Sequence, residues 1–348
     1  MPEFYTATKL LSMKDINGET PAFFIVTSNR QAGKTTTFYR LCMKKMIDNK
    51  SQSLILFRYQ NELKGCSQKI FDSISWRFPD YDMFDKKLEN GSIHQLLIKY
   101  KDQPAEVFGY AVAINSASKL RRSSGVLSQV DRVYLDEFQA EDGRYAPDEI
   151  KKFNSIILTA SRQKGVQMRY LPIYLSSNPV DVLNPYFSAL GVYKRLNTDV
   201  KFLRGDGWVL EQNVNESAQD AIKQSAFARA MSGGGYIAYA ADASYLLNDT
   251  TFIVDDIPAG ASYLSTFFYN GRAIALREFG DMIYVGGKPD ITYPQKIAVT
   301  KDDHTIDTQT LNANKYFLRW LRGCWNNAKI RFTDLEAREC VMTAVAPR

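Results

Sequence analysis

Histidine is nearly missing from this chain, with His94 and His304 the only two among 348 residues. Cysteine is scarcely commoner: Cys42, Cys66, Cys324 and Cys340 are dispersed, and no two form a CxxC pair. Spacing therefore assembles no zinc cluster, and such scattered thiols fit the reduced state of a cytoplasm better than a disulfide framework. No stretch reaches the roughly 18 apolar residues of a membrane span, so no membrane is expected as a partner. The opening MPEFYTATKLLSMKD lacks the basic-then-apolar layout of a secretory leader. No internal repeat or low-complexity tract is visible.

What is present suits a globular protein of two domains, or of one domain with a large appendage. The composition is 45% hydrophobic and 24% charged, sufficient for a sizeable core. The net charge of +6 and a pI near 8.9 permit a nucleic-acid partner without requiring one.

Short apolar runs alternate with helix-like segments over the first two hundred residues. FFIVTS (23–28), SLILFRY (53–59), RVYLDEF (132–138) and YLPIYLSSN (170–178) read as buried strands. Helical patterns cover 34–49, 62–78 and 148–163, and HQLLIKYK with EVFGYAVAIN suggests a hairpin. Strands alternating with helices predict an α/β domain over 1–200, with a mostly parallel sheet covered on both faces. Residues 201–250 read as a helical linker broken at SGGGY (232–236). From 251 the pattern is strand-rich, with an Asn270-Gly271 hairpin signal and a helix over 314–330, which predicts a smaller α/β domain to 348.

SNRQAGKTT follows the first apolar strand directly and opens the first helix. Such a loop binds phosphate because successive backbone N–H groups and a helix N-terminus converge on an anion. Ser28, Asn29, Arg30, Gln31, Ala32, Gly33, Lys34, Thr35 and Thr36 would then contact the nucleotide. Gly33 allows close approach, Lys34 reaches the β- and γ-phosphates, and Thr35 offers a hydroxyl to Mg2+. Ser28 stands where glycine is usual; a small residue can still turn the strand there.

A second signature must accompany the first, and VYLDEF supplies it. Two acids ending an apolar strand are costly without a charged partner, and Mg2+ with ATP is such a partner. Asp136 would hold the metal and Glu137 would orient the attacking water. Asn178, at the end of a neighbouring strand, would feel the γ-phosphate, although Asn-Pro is also an ordinary turn pair. Two basic loops, SASKLRRSSG and SRQKG, carry Lys119, Arg121, Arg122, Arg162 and Lys164. Arg162 first and Arg122 second suit an arginine acting on a neighbouring subunit's phosphates; contact with DNA phosphates fits the same loops. Arg30 suits phosphate contact or a change of partner between steps.

The loop resembles that of viral genome-packaging ATPases, the large terminases. The whole order is similar to the shorter packaging ATPases of small tailed phages with protein-primed genomes, the phi-twenty-nine type. FFIVTSNRQAGKTT, LILFRYQNEL with RFPD, VYLDEF, YLSSNPVDVLNPYF and FFYNG carry it, across most of the chain. The resemblance implies a homomeric ring, pentameric, docked in the host cytoplasm on the portal of a prohead and driving double-stranded DNA inside. A structural packaging RNA is a partner of some members. It places Lys34 and Thr35 in the loop, Asp136 and Glu137 at metal and catalysis, and Arg162 at the trans-acting position. Second domains of this family resemble ribonuclease-H-type nucleases, which need converging carboxylates. Here SYLSTFFYNG contains no acid, while Asp255 and Asp256 precede it and Asp281 and Asp290 sit at turns. The expectation is a vestigial nuclease without nuclease activity, whose Arg272, Lys288, Lys296, Arg319 and Arg322 bind nucleic acid or the portal. A ring helicase on the same ATPase core, or a DNA-binding protein switched by nucleotide, is the alternative.

Overall fold

A computed structural model describes residues 4–120, 124–162, 167–196, 200–231, 235–243, 245–246 and 252–346. Two compact units divide the chain, Met1–Leu247 and Asn248–Arg348. In the first, nine strands form one sheet: β1 (Phe23–Ser28), β2 (Gln52–Phe57), β3 (Tyr81–Leu88), β4 (Ile93–Tyr100), β5 (Glu106–Ala113), β6 (Val130–Asp136), β7 (Ile173–Ser177), β8 (Phe202–Gly205) and β9 (Trp208–Asn213). Their order is β3-β4-β5-β2-β6-β7-β1-β9-β8. The strands from β5 through β9 run parallel, while β3, β4 and β8 are antiparallel additions at the edges.

The parallel strands read as unbroken apolar runs because both faces are covered. Phe24 and Val26 of β1 enter one core layer with Phe38, Cys42 and Met46 of the helix Lys34–Asn49. Ile25 enters the opposite layer with Val133, Leu135 and Phe153. Phe38 stacks on Tyr134 and Tyr174 at centroid distances of 5.1 and 5.4 Å, fastening the helix that follows the loop to β6 and β7.

Three departures from the sequence reading have physical reasons. The expected linker 201–250 does not begin as helix: β8 and β9 extend the sheet through the Asp206-Gly207 turn, and helices follow at Glu216–Lys223, Ala226–Ala230 and Gly235–Asp242. The helix expected over 62–78 is interrupted, because Gly65 at φ +67° ends one turn and restarts the chain as Cys66–Asp72. The strand β3 passed unnoticed because it is an edge strand with exposed Asp82, Phe84, Lys86 and Lys87. The expected hairpin is β4 paired with β5. The centre of SGGGY lies outside the described residues.

Folding also brings together what spacing did not. Cys66, Asp85 and His94 converge, with His94 Nδ1 2.7 Å from Asp85 Oδ2 and 3.8 Å from Cys66 Sγ. The shorter distance is that of a direct hydrogen bond, and Ser67 Oγ donates to the other Asp85 oxygen at 2.5 Å.

The second unit has a six-stranded sheet of β10 (Ser262–Tyr269), β11 (Arg272–Phe279), β12 (Met282–Val285), β13 (Lys296–Ala298), β14 (Gln309–Thr310) and β15 (Ile330–Phe332). Its order is β14-β13-β10-β11-β12-β15. β10, β11 and β12 form an antiparallel meander turning first at Asn270-Gly271; β13 joins β10 and β15 joins β12 in parallel. The helices Lys315–Asn326 and Leu335–Val345 complete its core through Leu318, Leu321, Cys340 and Val341.

Two arginines expected to meet nucleic acid or the portal are instead held within the second unit. Arg272 bonds Asp334 at 2.7 and 2.9 Å and Glu336 at 2.6 Å. Arg322 caps the last helix, donating to the carbonyls of Val345 and Ala346 at 2.6 and 3.0 Å. Carboxylates and helix-end carbonyls are the partners a guanidinium prefers, and sequence proximity does not reveal them.

Candidate phosphate-binding site

Parallel strands bring their C-terminal ends to one edge, and β1, β7 and β6 are consecutive in the sheet. The loop after β1, Asn178 after β7, and Asp136 with Glu137 at the end of β6 therefore meet. They border a cavity of ≈ 390 Å³ lined by residues 30–36, Asp136, Glu137, Ser177, Asn178 and Phe4.

The loop closes on itself before the helix starts. Gln31 and Gly33 take positive φ of +60° and +91°, and Gly33 is the N-cap of Lys34–Asn49. Its φ of +91° disfavours any side chain at Gly33, and a Cβ there, 3.1 Å from the Phe4 ring, would also require that exposed ring to shift. The Asn29 side chain anchors the loop just past β9: its Nδ2 donates to Asn215 O at 3.0 Å and its Oδ1 accepts from Asn215 N at 2.9 Å.

Lys34 is buried. Its Nζ lies 2.8 Å from Ser28 Oγ, 3.0 Å from Ser28 O, 3.1 Å from Asn29 O and 3.1 Å from Asn178 Oδ1. Burial brings its pKa down to about 8, opposed by the negative charges of Asp136 and Glu137 and assisted by Arg30. Thr35 Oγ1 donates to Asp136 Oδ2 at 2.6 Å, and Ser176 Oγ donates to Asp136 Oδ1 at 2.5 Å. With its proton so committed, Ser176 accepts from the Tyr134 hydroxyl at 2.8 Å. Both Asp136 oxygens are thus oriented, one from the neighbouring strand β7 and one from the phosphate loop.

Glu137 has φ +51°. Burial pushes its pKa up, and Asp136 and Glu141 add to the shift against Arg30 and Arg58. Glu141 accepts from Arg30, from Tyr239 OH at 2.7 Å and from Asn178 Nδ2 at 3.3 Å. Burial opposes its ionisation, but those hydrogen bonds hold its carboxyl below the usual range.

These residues could hold a nucleoside triphosphate with a divalent cation. Besides the loop geometry, Ser177 lines the cavity and keeps a buried Oγ that has no hydrogen-bond partner among the described residues. Thr35 and Asp136 present adjacent oxygen donors of the hard type that Mg2+ takes.

The remaining candidates lie elsewhere. Arg162 is exposed just past the helix Glu149–Ala160, bordering a groove of ≈ 490 Å³ with Lys151, Asn154 and Leu158, and is not among the residues lining the Lys34 cavity. Lys119 falls on the short helix Ala117–Leu120; Arg121, Arg122 and Lys164 lie outside the described residues. Sequence reading missed Arg58, Glu141 and Tyr239. Arg58 carried a usable signal, a single cation ending an apolar strand, whereas Glu141 looks like one more charge in a surface loop.

A family model described as podovirus DNA encapsidation protein (Gp16) matches residues 2–345. The chain belongs to that family. The DNA packaging protein of Bacillus phage B103 is 21% identical over 317 residues, covering 89% of this chain and 92% of the relative. Two solved structures share the fold over nearly their full lengths. The bacteriophage phi-29 viral genome packaging motor assembly has a chain with a TM-score of 0.65 at 20% identity, with 97% of this chain and 96% of that one covered. The Phi-28 gp11 DNA packaging motor gives 0.62 at 15% identity, covering 100% and 99%.

Proposed function

We propose that this chain hydrolyses ATP and couples the hydrolysis to moving double-stranded DNA into a viral prohead. The observation that carries the proposal is the meeting of Lys34, Thr35, Asp136, Glu137 and Asn178 around one cavity at one sheet edge. Backbone N–H groups of residues 31–35 and the helix N-terminus would cradle the phosphates. Lys34 would trade its bonds to the loop carbonyls for the β- and γ-phosphates. Thr35 and Asp136 would hold Mg2+, which neutralises charge on the phosphate oxygens. Glu137 orients the attacking water, and Asn178, already bridging Lys34 and Glu141, reads the γ-phosphate.

Family membership supports DNA as the cargo, and the likeness to a packaging protein and to packaging motors supports the prohead. The portal, a homomeric ring of five, a structural RNA and a site of action in the host cytoplasm rest on the phi-twenty-nine-type resemblance. No helix among the described residues is long and apolar enough to cross a membrane. For the second unit, a ribonuclease-H-type reading is supported by the meander with β13 and β14 added beside β10. A vestigial site is supported by the engagement of Asp334 and Glu336 with Arg272. Exposed Lys288 and Arg319 remain candidates for nucleic acid or portal contact.

The test is encapsidation: purified protein, proheads and duplex DNA with ATP should yield nuclease-protected DNA. ATP-driven unwinding without protection favours the helicase, and ATP-dependent DNA binding without turnover favours the switch. Exposed Arg162, which makes no hydrogen bond or ion pair within the described residues, fits a role on a neighbouring subunit's phosphates. Mixing Arg162→Ala subunits with wild type should depress ATPase activity more steeply than dilution; strictly proportional loss would remove the inter-subunit role.

A further inference from the structure

Arg58 follows β2, whose register with β6 pairs Leu56 with Leu135. Two residues further on, the same alignment sets Arg58 beside Glu137. Its guanidinium forks there: Nη2 donates to the carbonyls of Glu137 at 3.1 Å and Phe138 at 2.8 Å. On its other side Nε sits 3.1 Å from both oxygens of Glu149. Its side chain is 11% exposed and that of Glu149 2%, so the pair is shielded from solvent. Glu149 is itself immobilised, accepting from Ala146 N at 2.7 Å and from the Tyr186 hydroxyl at 2.8 Å.

The two carbonyls so gripped follow directly on the place where the chain turns sharply. Glu137, at φ +51°, occupies a left-handed conformation that glutamate rarely adopts, and surrounding structure must impose it. The ladder from Phe138 N to Ser176 O at 3.2 Å resumes immediately afterwards. Between them, the ladder and the guanidinium leave Glu137 one backbone setting.

We propose that Arg58, braced by Glu149, is a positioning residue for ATP hydrolysis: it fixes the backbone of Glu137 and thereby aims that carboxylate at the attacking water. The inference rests on the ATPase reading of the Lys34 cavity, and Arg58 itself is not among the residues lining that cavity. A lysine could not replace it, because one ammonium cannot span two carbonyls and a carboxylate in a fixed plane.

The test compares wild type, Arg58→Lys, Arg58→Ala, Glu149→Gln and Glu137→Gln for ATP affinity, kcat and thermal midpoint. Because small misplacements at a reacting centre cost about 10²-fold, Arg58→Lys should lose roughly 10- to 100-fold in kcat with its ATP Kd within about threefold of wild type. Millimolar guanidinium should restore part of the kcat of Arg58→Ala, and Glu149→Gln should lower kcat without weakening ATP binding. If Arg58→Ala does not fold, Arg58→Lys and Glu149→Gln decide. Wild-type kcat in Arg58→Lys, or kcat, affinity and thermal midpoint falling together without guanidinium rescue, overturns the positioning role. No ATP turnover by the wild type would instead bring down the ATPase reading, and retained turnover in Glu137→Gln would remove only the role of that carboxylate, so the failures are distinguishable.

Discussion

Glu137→Gln should abolish ATP turnover, lowering kcat by about 10²–10⁴-fold, the range over which a positioned general base acts. The substitution keeps the side chain's size and the backbone setting that Arg58 imposes, and it removes the charge that polarises water. Nucleotide binding should survive and tighten. Burial, with Asp136 and Glu141, already pushes the Glu137 carboxyl upward, and the substitution leaves one fewer negative group facing the incoming triphosphate. Phosphate release in the steady state and equilibrium binding of ATP, measured on the same preparation, check both halves. Turnover close to wild type would remove Glu137 from the reaction.

Lys34→Ala should act at the other step, on binding. Removing one member of a buried charge pair costs about 2–5 kcal/mol, which corresponds to an affinity loss of roughly 30- to several-thousand-fold. Lys34 also makes a pH prediction with a definite sign. A lysine brought down to about 8 is charged below that pH and increasingly neutral above it. The ammonium is the form that meets phosphate, so affinity for MgATP should be flat below pH 8 and fall as pH rises beyond it. Above pH 8, binding should take up a proton, read by calorimetry as a dependence of the binding heat on the buffer's ionisation enthalpy. Buffer-independent heats at pH 9, with unchanged affinity, would contradict the burial of Lys34 described above.

Legibility followed the physics of each segment. The parallel strands were plain because burial on both faces leaves uninterrupted runs such as FFIVTS and LILF, and the loop was plain because Gly33, Lys34 and Thr35 sit at a fixed offset from β1. Strands at the sheet's margins were hidden: β3 alternates exposed charges with half-buried residues, and β8 with β9 was masked by neighbouring helical texture despite the Asp206-Gly207 turn. Within the site, Asp136, Glu137 and Asn178 could be read because each ends a strand. Glu141, Glu149 and Tyr239 could not, since their partners lie far away along the chain and only the fold brings them close; Arg58 marks a strand end, but its partners are as distant. The same blindness made Arg272 and Arg322 look like free cations when they are engaged within the second unit.

One carboxylate, that of Glu141, holds both the arginine of the phosphate loop and Tyr239 of the helix Gly235–Asp242, while Arg30 N bonds Ala240 O at 3.0 Å and its guanidinium lies 5.4 Å from the centre of the Tyr236 ring. Any anion that attracts Arg30 competes with Glu141 for it, and the outcome of that competition decides how firmly a helix some two hundred residues downstream is moored. The phosphate loop and that helix thus share the Glu141 carboxylate and the Arg30 backbone as common moorings, and an exchange of partner at Arg30 bears on both.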